Sequence, residues 1–401
     1  MSKQRNLPAW WGAPRKFDSQ LDDRRISWLE LFYDLVYVIA ISRITHHLAQ
    51  DLTVHGFLEY GTYFVMIFWG WLNGSLYHDI HGNSGLRTRL MTLWQMMIIA
   101  SLSITLEQEH HYRLINSTIV FIFMQVFITY LWWSVGFYDR KHRRYNLPYT
   151  ILYLVALGLM GLSLVYPSWL YIIIPLVIFC NYAPPFISHR RLRVDDFELS
   201  LSPSMFERLG LLTIIVFGEM VLGVVNGISE MSKMDFHAWF NFALAIAIVF
   251  SLWWIFFTLV ANRTVKKGFD KATQLELLYI PTLISLGLVA VCFAWIFEME
   301  EVIISIPRLF NFGLAAYLSC ISLMMGLVIF HKPYDTIKRP LRVSLFVTAV
   351  VFLVFGCLPL ELGCTAYLLS VLIILLVEMI YLNAIYFGVM PLDPDYVEAT
   401  E

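Results

Sequence analysis

Two carboxylates stand where hydrocarbon disfavours them. Asp34 lies in "SWLELFYDLVYVIAISRITHHL" (Ser27 to Leu48), and Glu219 lies in "ERLGLLTIIVFGEMVLGVVNGI" (Glu207 to Ile228). Asp34 is two turns into its apolar run and Glu219 is near the middle of its own. An acid at such a depth binds a proton, pairs with a cation or lines a polar passage. Helical spacing puts Glu30, Asp34, Tyr37, Ile41 and Thr45 on one face, and Arg208, Glu219 and Asn226 on another. Arg43 is nine positions beyond Asp34, about 13.5 Å along a helix axis and on its far side. The two cannot pair within one helix, so each needs a partner elsewhere. Asp34 and Glu219 are therefore the leading substrate- or proton-pathway residues. Arg208 and Arg43 are the candidate counter-charges, and Glu378 and Asn226 are further candidates.

Other polar groups have plainer readings. Ser27-x-x-Glu30 and Ser204-x-x-Glu207 both fit the capping box, in which hydroxyl and carboxylate satisfy free N–H groups of a first helical turn. Glu276 in "TQLE" reads the same way. Gly218, Gly223 and Gly227 would let another helix approach closely. His46, His47, His55, His110, His111 and His237, with Glu59, Glu107 and Glu109, gather toward one side of the chain's predicted topology, most simply as solvated ends. The cysteines Cys180, Cys292, Cys320, Cys357 and Cys364 are scattered over apolar segments as lone thiols, although Cys357 and Cys364 flank one short connection. No CxxC or Cys/His zinc spacing occurs, and neither does a Gly-rich phosphate loop, a GxSxG elbow or an HExxH pair. No metal or cofactor is expected, and no nucleic-acid partner.

The elements that must position these groups follow from composition. Hydrophobic residues make up 59% of the chain and charged residues 14%, with a mean hydropathy of +0.66. That is too little charge for a water-facing surface of this size. The apolar residues fall in blocks of about 20, the length that crosses a bilayer. The expectation is an all-α integral membrane protein, with the lipid bilayer as its first partner. Twelve spans are predicted, at 27–48, 57–78, 86–107, 116–138, 148–166, 168–186, 204–227, 236–261, 273–297, 306–330, 340–358 and 363–389. The stretch "GSLYHDIHGNSGLRTRL" (Gly74 to Leu90) reads as the connection after the second. With both termini cytoplasmic, every Lys and Arg except Arg43, Arg113, Lys233 and Arg308 falls on the cytoplasmic side, as the positive-inside rule requires.

The halves also echo each other at a shift of about 185 residues, read directly from the sequence. "LFYDLVYVIA" falls on "VFGEMVLGVV", matching Asp34 with Glu219, and "TRLMTLWQM" falls on "TQLELLYIP". The capping boxes align instead at 177, so the seventh helix would begin two turns early. The predicted organisation is a cytoplasmic N-terminal segment (1–26), a six-helix repeat (27–186), a basic linker (187–203), a second six-helix repeat in the same orientation (204–390) and a cytoplasmic tail (391–401).

Three ordered stretches resemble one family. "WLELFYDLVYVIAISRITHHL", "GLRTRLMTLWQM" and "FERLGLLTIIVFGEMVLGVV" are similar to the first, third and seventh helices of the bacterial low-temperature-requirement A family. Where many members carry an acidic stretch before the third helix, this chain has "IHGNSG" (Ile80 to Gly85). The resemblance implies a membrane protein of the bacterial cytoplasmic membrane, linked by name to growth in the cold, and brings no settled activity. Carried over by motif are Glu30, Asp34, Glu207, Arg208, Gly210, Gly218 and Glu219. The leading expectation is a secondary transporter, proton-coupled, of an unknown small molecule or ion. The alternatives are a membrane enzyme acting on lipid, with the outer His and Glu residues around an interfacial pocket, and a non-transporting membrane-adaptation protein.

Overall fold

A computed structural model describes residues 26–83, 85–138, 140–192, 201–229, 234–261, 263–297, 305–330, 334–359 and 362–388. The N-terminal segment up to Arg25, residues 193–200 of the linker, the tail 391–401, Lys233 and Lys332 lie outside them. So do the side chains of His110, His111, Arg140, Lys141, Arg144 and Arg191. The chain is an all-α membrane protein that divides into two compact units, Met1–Leu212 and Thr213–Glu401.

The first unit holds α1 (Trp28–Gln50), α2 (Val54–His81), α3 (Leu86–Thr105), α4 (His110–Tyr138), α5 (Arg140–Val165), α6 (Leu170–Tyr182), α7 (Pro184–Leu192) and the first turns of α8 (Pro203–Ser229). α1 packs on α2 and α3, α3 on α4, α4 on α5, α5 on α6 and α7, and α2 on α4 and α6. Its interior is aromatic, with Tyr33, Tyr37, Phe64, Phe68, Trp69, Trp71, Tyr77 and Tyr153 fully buried. The "YPSW" division is real: Pro167–Trp169 form a 3-10 turn between α5 and α6. α6 and α7 bend by 43°, where Pro184 cannot supply the N–H that would continue the helix.

The second unit holds the rest of α8, then α9 (Phe236–Phe256), α10 (Phe269–Ile296), α11 (Ser305–Met325), α12 (Lys338–Cys357) and α13 (Cys364–Gly388). α10 packs on α11, α11 on α12, and α13 on α9 and α12. A β-carbon on Gly223 or Gly227 would collide with the backbone carbonyl of Ala290 or Phe293, so these glycines permit the approach of α8 to α10. Gly218, expected to share that role, faces open space. A π-helical turn, Phe257–Ala261, extends α9. Short strands β1 (Thr264–Val265) and β2 (Val328–Ile329) pair antiparallel and join the α9–α10 and α11–α12 connections. Gly268 opens α10 at φ +110°, a conformation that glycine adopts without strain.

Eight helices among the described residues are long and apolar enough to cross a membrane, or nine if α6 and α7 form one bent span. α1, α2 and α3 are of comparable length but carry buried polar groups, including Glu30, Asp34, Asn73, His78, Asp79, Arg87 and Gln95. Several helices begin earlier than their apolar runs, α4 at His110, α5 at Arg140 and α10 at Phe269. Polar turns continue the hydrogen-bond ladder beyond the hydrocarbon-like part. The same effect absorbs most of Gly74–Leu90, because α2 runs on to His81 and α3 starts at Leu86. Thr273 and Glu276 likewise lie inside α10 and do not cap it. All five cysteines are free, and Cys357 is exposed.

Candidate functional site

Ser27 caps α1 in a complete capping box. Its hydroxyl accepts from the Glu30 N–H, and the Glu30 carboxylate accepts from the Ser27 N–H at 2.9 Å. From that start, α1 turns Phe32, Leu35 and Ile39 outward, while Glu30, Tyr33, Asp34, Tyr37, Ile41 and Thr45 are buried. The face inferred from helical spacing is therefore the inward one, and it carries Asp34 into the first unit with 0% exposure.

Arg208, in the first turns of α8, meets it there. Its Nε donates to Asp34 Oδ2 at 3.2 Å and its Nη2 to Oδ1 at 2.5 Å. The Trp71 indole N–H donates to the same Oδ1 at 2.8 Å. Nη1 makes no hydrogen bond and lies 3.7 Å from Glu30 Oε1. The guanidinium also stands over the Tyr33 and Trp71 rings, at 5.5 and 5.7 Å. Two carboxylates one turn apart thus address one arginine. The fork geometry, the indole and the two ring faces offset the cost of taking these charges out of water.

A third acid lies in the stretch Gly74 to Leu90, which reads from the sequence as a connection. Asp79, near the end of α2, is buried and accepts from Ser202 Oγ at 2.6 Å and Ser204 Oγ at 2.5 Å. Ser202 also accepts from the Met205 N–H at 3.0 Å, so Ser202 caps α8. The capping box expected of Ser204 and Glu207 does not form. Pro203 starts the helix, Ser204 spends its hydroxyl on Asp79, and Glu207 is exposed. An anion held beside the N-terminus of α8 is favoured by the helix dipole. The first unit holds further buried hydrogen bonds. Arg87 donates to Tyr77 and Ser134, His78 meets Thr92 at 2.7 Å, and Asn73 Oδ1 accepts from Tyr153 and Trp132.

The remaining sequence candidates have other surroundings. Arg43 pairs with Glu107, both about half exposed, so Arg208 alone of the two proposed cations is the partner of Asp34. Glu219 is half-buried and belongs to the second unit, and Asn226 is exposed. Glu378 is buried between α12 and α13 and accepts from Ser344 and Thr348 hydroxyls, each at 2.8 Å.

At the opposite end of α1 and α2, Glu59 accepts from Arg113 Nε at 3.0 Å, with His47 and His55 rings at 3.5 and 4.0 Å. Glu59 and His55 form the polar end of a cavity of about 500 Å³. Leu170, Ile173 and Val177 of α6, with Met66, Phe121 and Met160, make its wall mostly apolar, with the hydroxyls of Thr62, Ser117, Thr118 and Ser163 among them. Its size and lining are those of small-molecule sites. Sequence reasoning had the polar groups but no means of seeing the cavity, which arises where α2, α4, α5 and α6 meet around the Pro167 turn. Asp79 was missed for another reason: it sits beside the turn-rich "HGNSG", which ends the apolar pattern early.

No curated protein matches the chain. The family model described as bacterial low temperature requirement A protein matches residues 25–389, nearly the whole length. The match spans α1 to α13 and includes Glu30, Asp34, Asp79 and Arg208. The chain belongs to the bacterial low temperature requirement A family.

Proposed function

We propose that the protein is a proton-coupled secondary permease of the bacterial cytoplasmic membrane, built from twelve spans as two parallel six-helix repeats with both termini inside. The observation that carries this reading is the buried Glu30–Asp34–Arg208 unit, which ties α1 to the first turns of α8. Buried ionisable groups inside membrane helices characterise ion and substrate pathways. A proton delivered to Asp34 removes one negative charge from the fork. Arg208 then shifts its attraction to Glu30, one turn away, and the tie between α1 and α8 loosens. Coupling needs such an element with two arrangements of nearly equal energy, each favoured by one protonation state. The repeat is supported by packing order: α3–α4–α5 and α2–α6 in the first unit correspond to α10–α11–α12 and α9–α13 in the second.

Everted membrane vesicles holding an acid-inside pH gradient, read by acridine-orange fluorescence, test the reading. Addition of a panel of inorganic cations, amines and amphiphiles should reveal a compound that dissipates the gradient. Asp34→Asn should abolish that response. A wild-type response from Asp34→Asn combined with Glu219→Gln would overturn the role of both acids.

The cavity beside Glu59 favours a second reading, a membrane enzyme acting on an amphiphile held with its polar end at His55 and Glu59. Deletion would then change the lipid profile of the cells, and an unchanged profile counts against it.

A further inference from the structure

We propose that Arg263, Lys266, Lys338 and Arg342 form a binding site for a phosphate-bearing anion at the β1–β2 bridge of the second unit. The inference is independent of the permease reading and of the Asp34 site.

The four cations are held together by shared partners. Arg263 and Lys338 both stand over the Phe330 ring, at 4.4 and 5.4 Å from its centre. Lys338 Nζ donates to the Val328 carbonyl on β2 at 2.6 Å. Lys266 follows β1 and donates its Nζ to the Gly326 carbonyl at 2.9 Å. The Arg342 guanidinium lies against the same Gly326, with its Nε donating to the Ser322 carbonyl at 2.8 Å. All four side chains are half-buried.

Their backbone bonds have an ordinary explanation, since cations near the C-terminus of α11 satisfy its free carbonyls and its dipole. That accounts for the single bonds made by Lys266 and Arg342, and Lys338 satisfies one carbonyl of β2. A lysine carries three donors and an arginine five. Arg263 Nε is buried with no hydrogen bond, and its Nη2 reaches the Thr258 carbonyl at 3.5 Å. Among the described residues none of the four makes an ion pair. The neighbouring acids Asp270, in the first turn of α10, and Asp335 are exposed. Four half-buried like charges with donors to spare repel each other until an anion sits among them. Basic pockets at the ends of membrane helices take phosphate head groups in this manner, and the guanidinium forks match phosphate oxygens. The phosphate can come from an anionic lipid or from a soluble compound.

Full-length protein purified in detergent separates the two sources. Binding is measured with short-chain phosphatidylglycerol, with short-chain phosphatidylcholine, and with inorganic pyrophosphate. Retention of phosphatidylglycerol over phosphatidylcholine assigns the site to lipid, and saturable binding of pyrophosphate assigns it to a soluble anion; either supports the proposal. Lys266→Gln with Lys338→Gln should weaken the preferred anion about thirtyfold. Wild-type affinity in that variant, or no binding of either anion by the wild type, overturns it. If the double variant does not fold, wild-type binding is followed across a salt titration. A steep loss supports the cationic site, and an affinity indifferent to salt overturns it.

Discussion

Asp34 and Arg208 are each intelligible only with the other present. Removing Arg208 leaves two buried carboxylates without their cation, at a cost of about 3–5 kcal/mol, and removing Asp34 leaves Arg208 only the Glu30 carboxylate, 3.7 Å away. Asp34→Asn and Arg208→Gln should each lower the thermal unfolding midpoint sharply in detergent. The double variant should unfold at a higher temperature than the two single losses would sum to. Additive losses would show that the two side chains do not interact. Ser204→Ala removes one hydroxyl donor to Asp79 and should destabilise by about 1–3 kcal/mol, whereas Glu207→Gln, on an exposed side chain, should be neutral. The sequence made Asp34 conspicuous because a carboxylate deep in an apolar run has few bland explanations. It offered both Arg208 and Arg43 as counter-charges and could not choose between them, because the true partner, Arg208, is 174 residues away. Asp79 was hidden by its neighbours, since a polar turn directly after it made the last turn of α2 look like loop.

Helices were the most legible elements and their ends the least. Apolar runs locate the middle of each helix, because burying backbone polar groups in hydrocarbon leaves few other folds. The polar turns at α4, α5 and α10 obey the same hydrogen-bond ladder without the hydrophobic signal. Which helices touch was legible in part, through glycine. Gly223→Ala places a methyl against the fixed carbonyl of Ala290 and should destabilise by about 1–3 kcal/mol. Gly218→Ala meets nothing and should be neutral or stabilise by up to about 1 kcal/mol, the helix-propensity difference. Thermal melts of the two variants side by side separate the contact from the composition. Equal effects would mean that α8 does not approach α10 through Gly223.

At the scale of the whole molecule, the distribution of Lys and Arg carries information that no single helix holds. An even number of spans with both ends inside sorts nearly all the cations to one side, and a helix gained or lost in the middle would scatter them. The same arrangement puts the β1–β2 bridge with Lys266 inside, and the α12–α13 connection with Cys357 outside. The two positions lie in one unit, so the prediction does not depend on how the units meet. Cys357 is exposed and free, which makes it a native reporter. In a variant that keeps Cys357 and replaces Cys180, Cys292, Cys320 and Cys364 by serine or alanine, a membrane-impermeant maleimide should label intact cells. Adding Lys266→Cys while removing Cys357 should give labelling only after the membrane is opened. The reverse pattern would invert the orientation, and labelling of both from outside would break the span count between α10 and α12. A reversed orientation would also move the Glu59 cavity to the cytoplasmic side, where an amphiphile would have to be drawn from the inner leaflet.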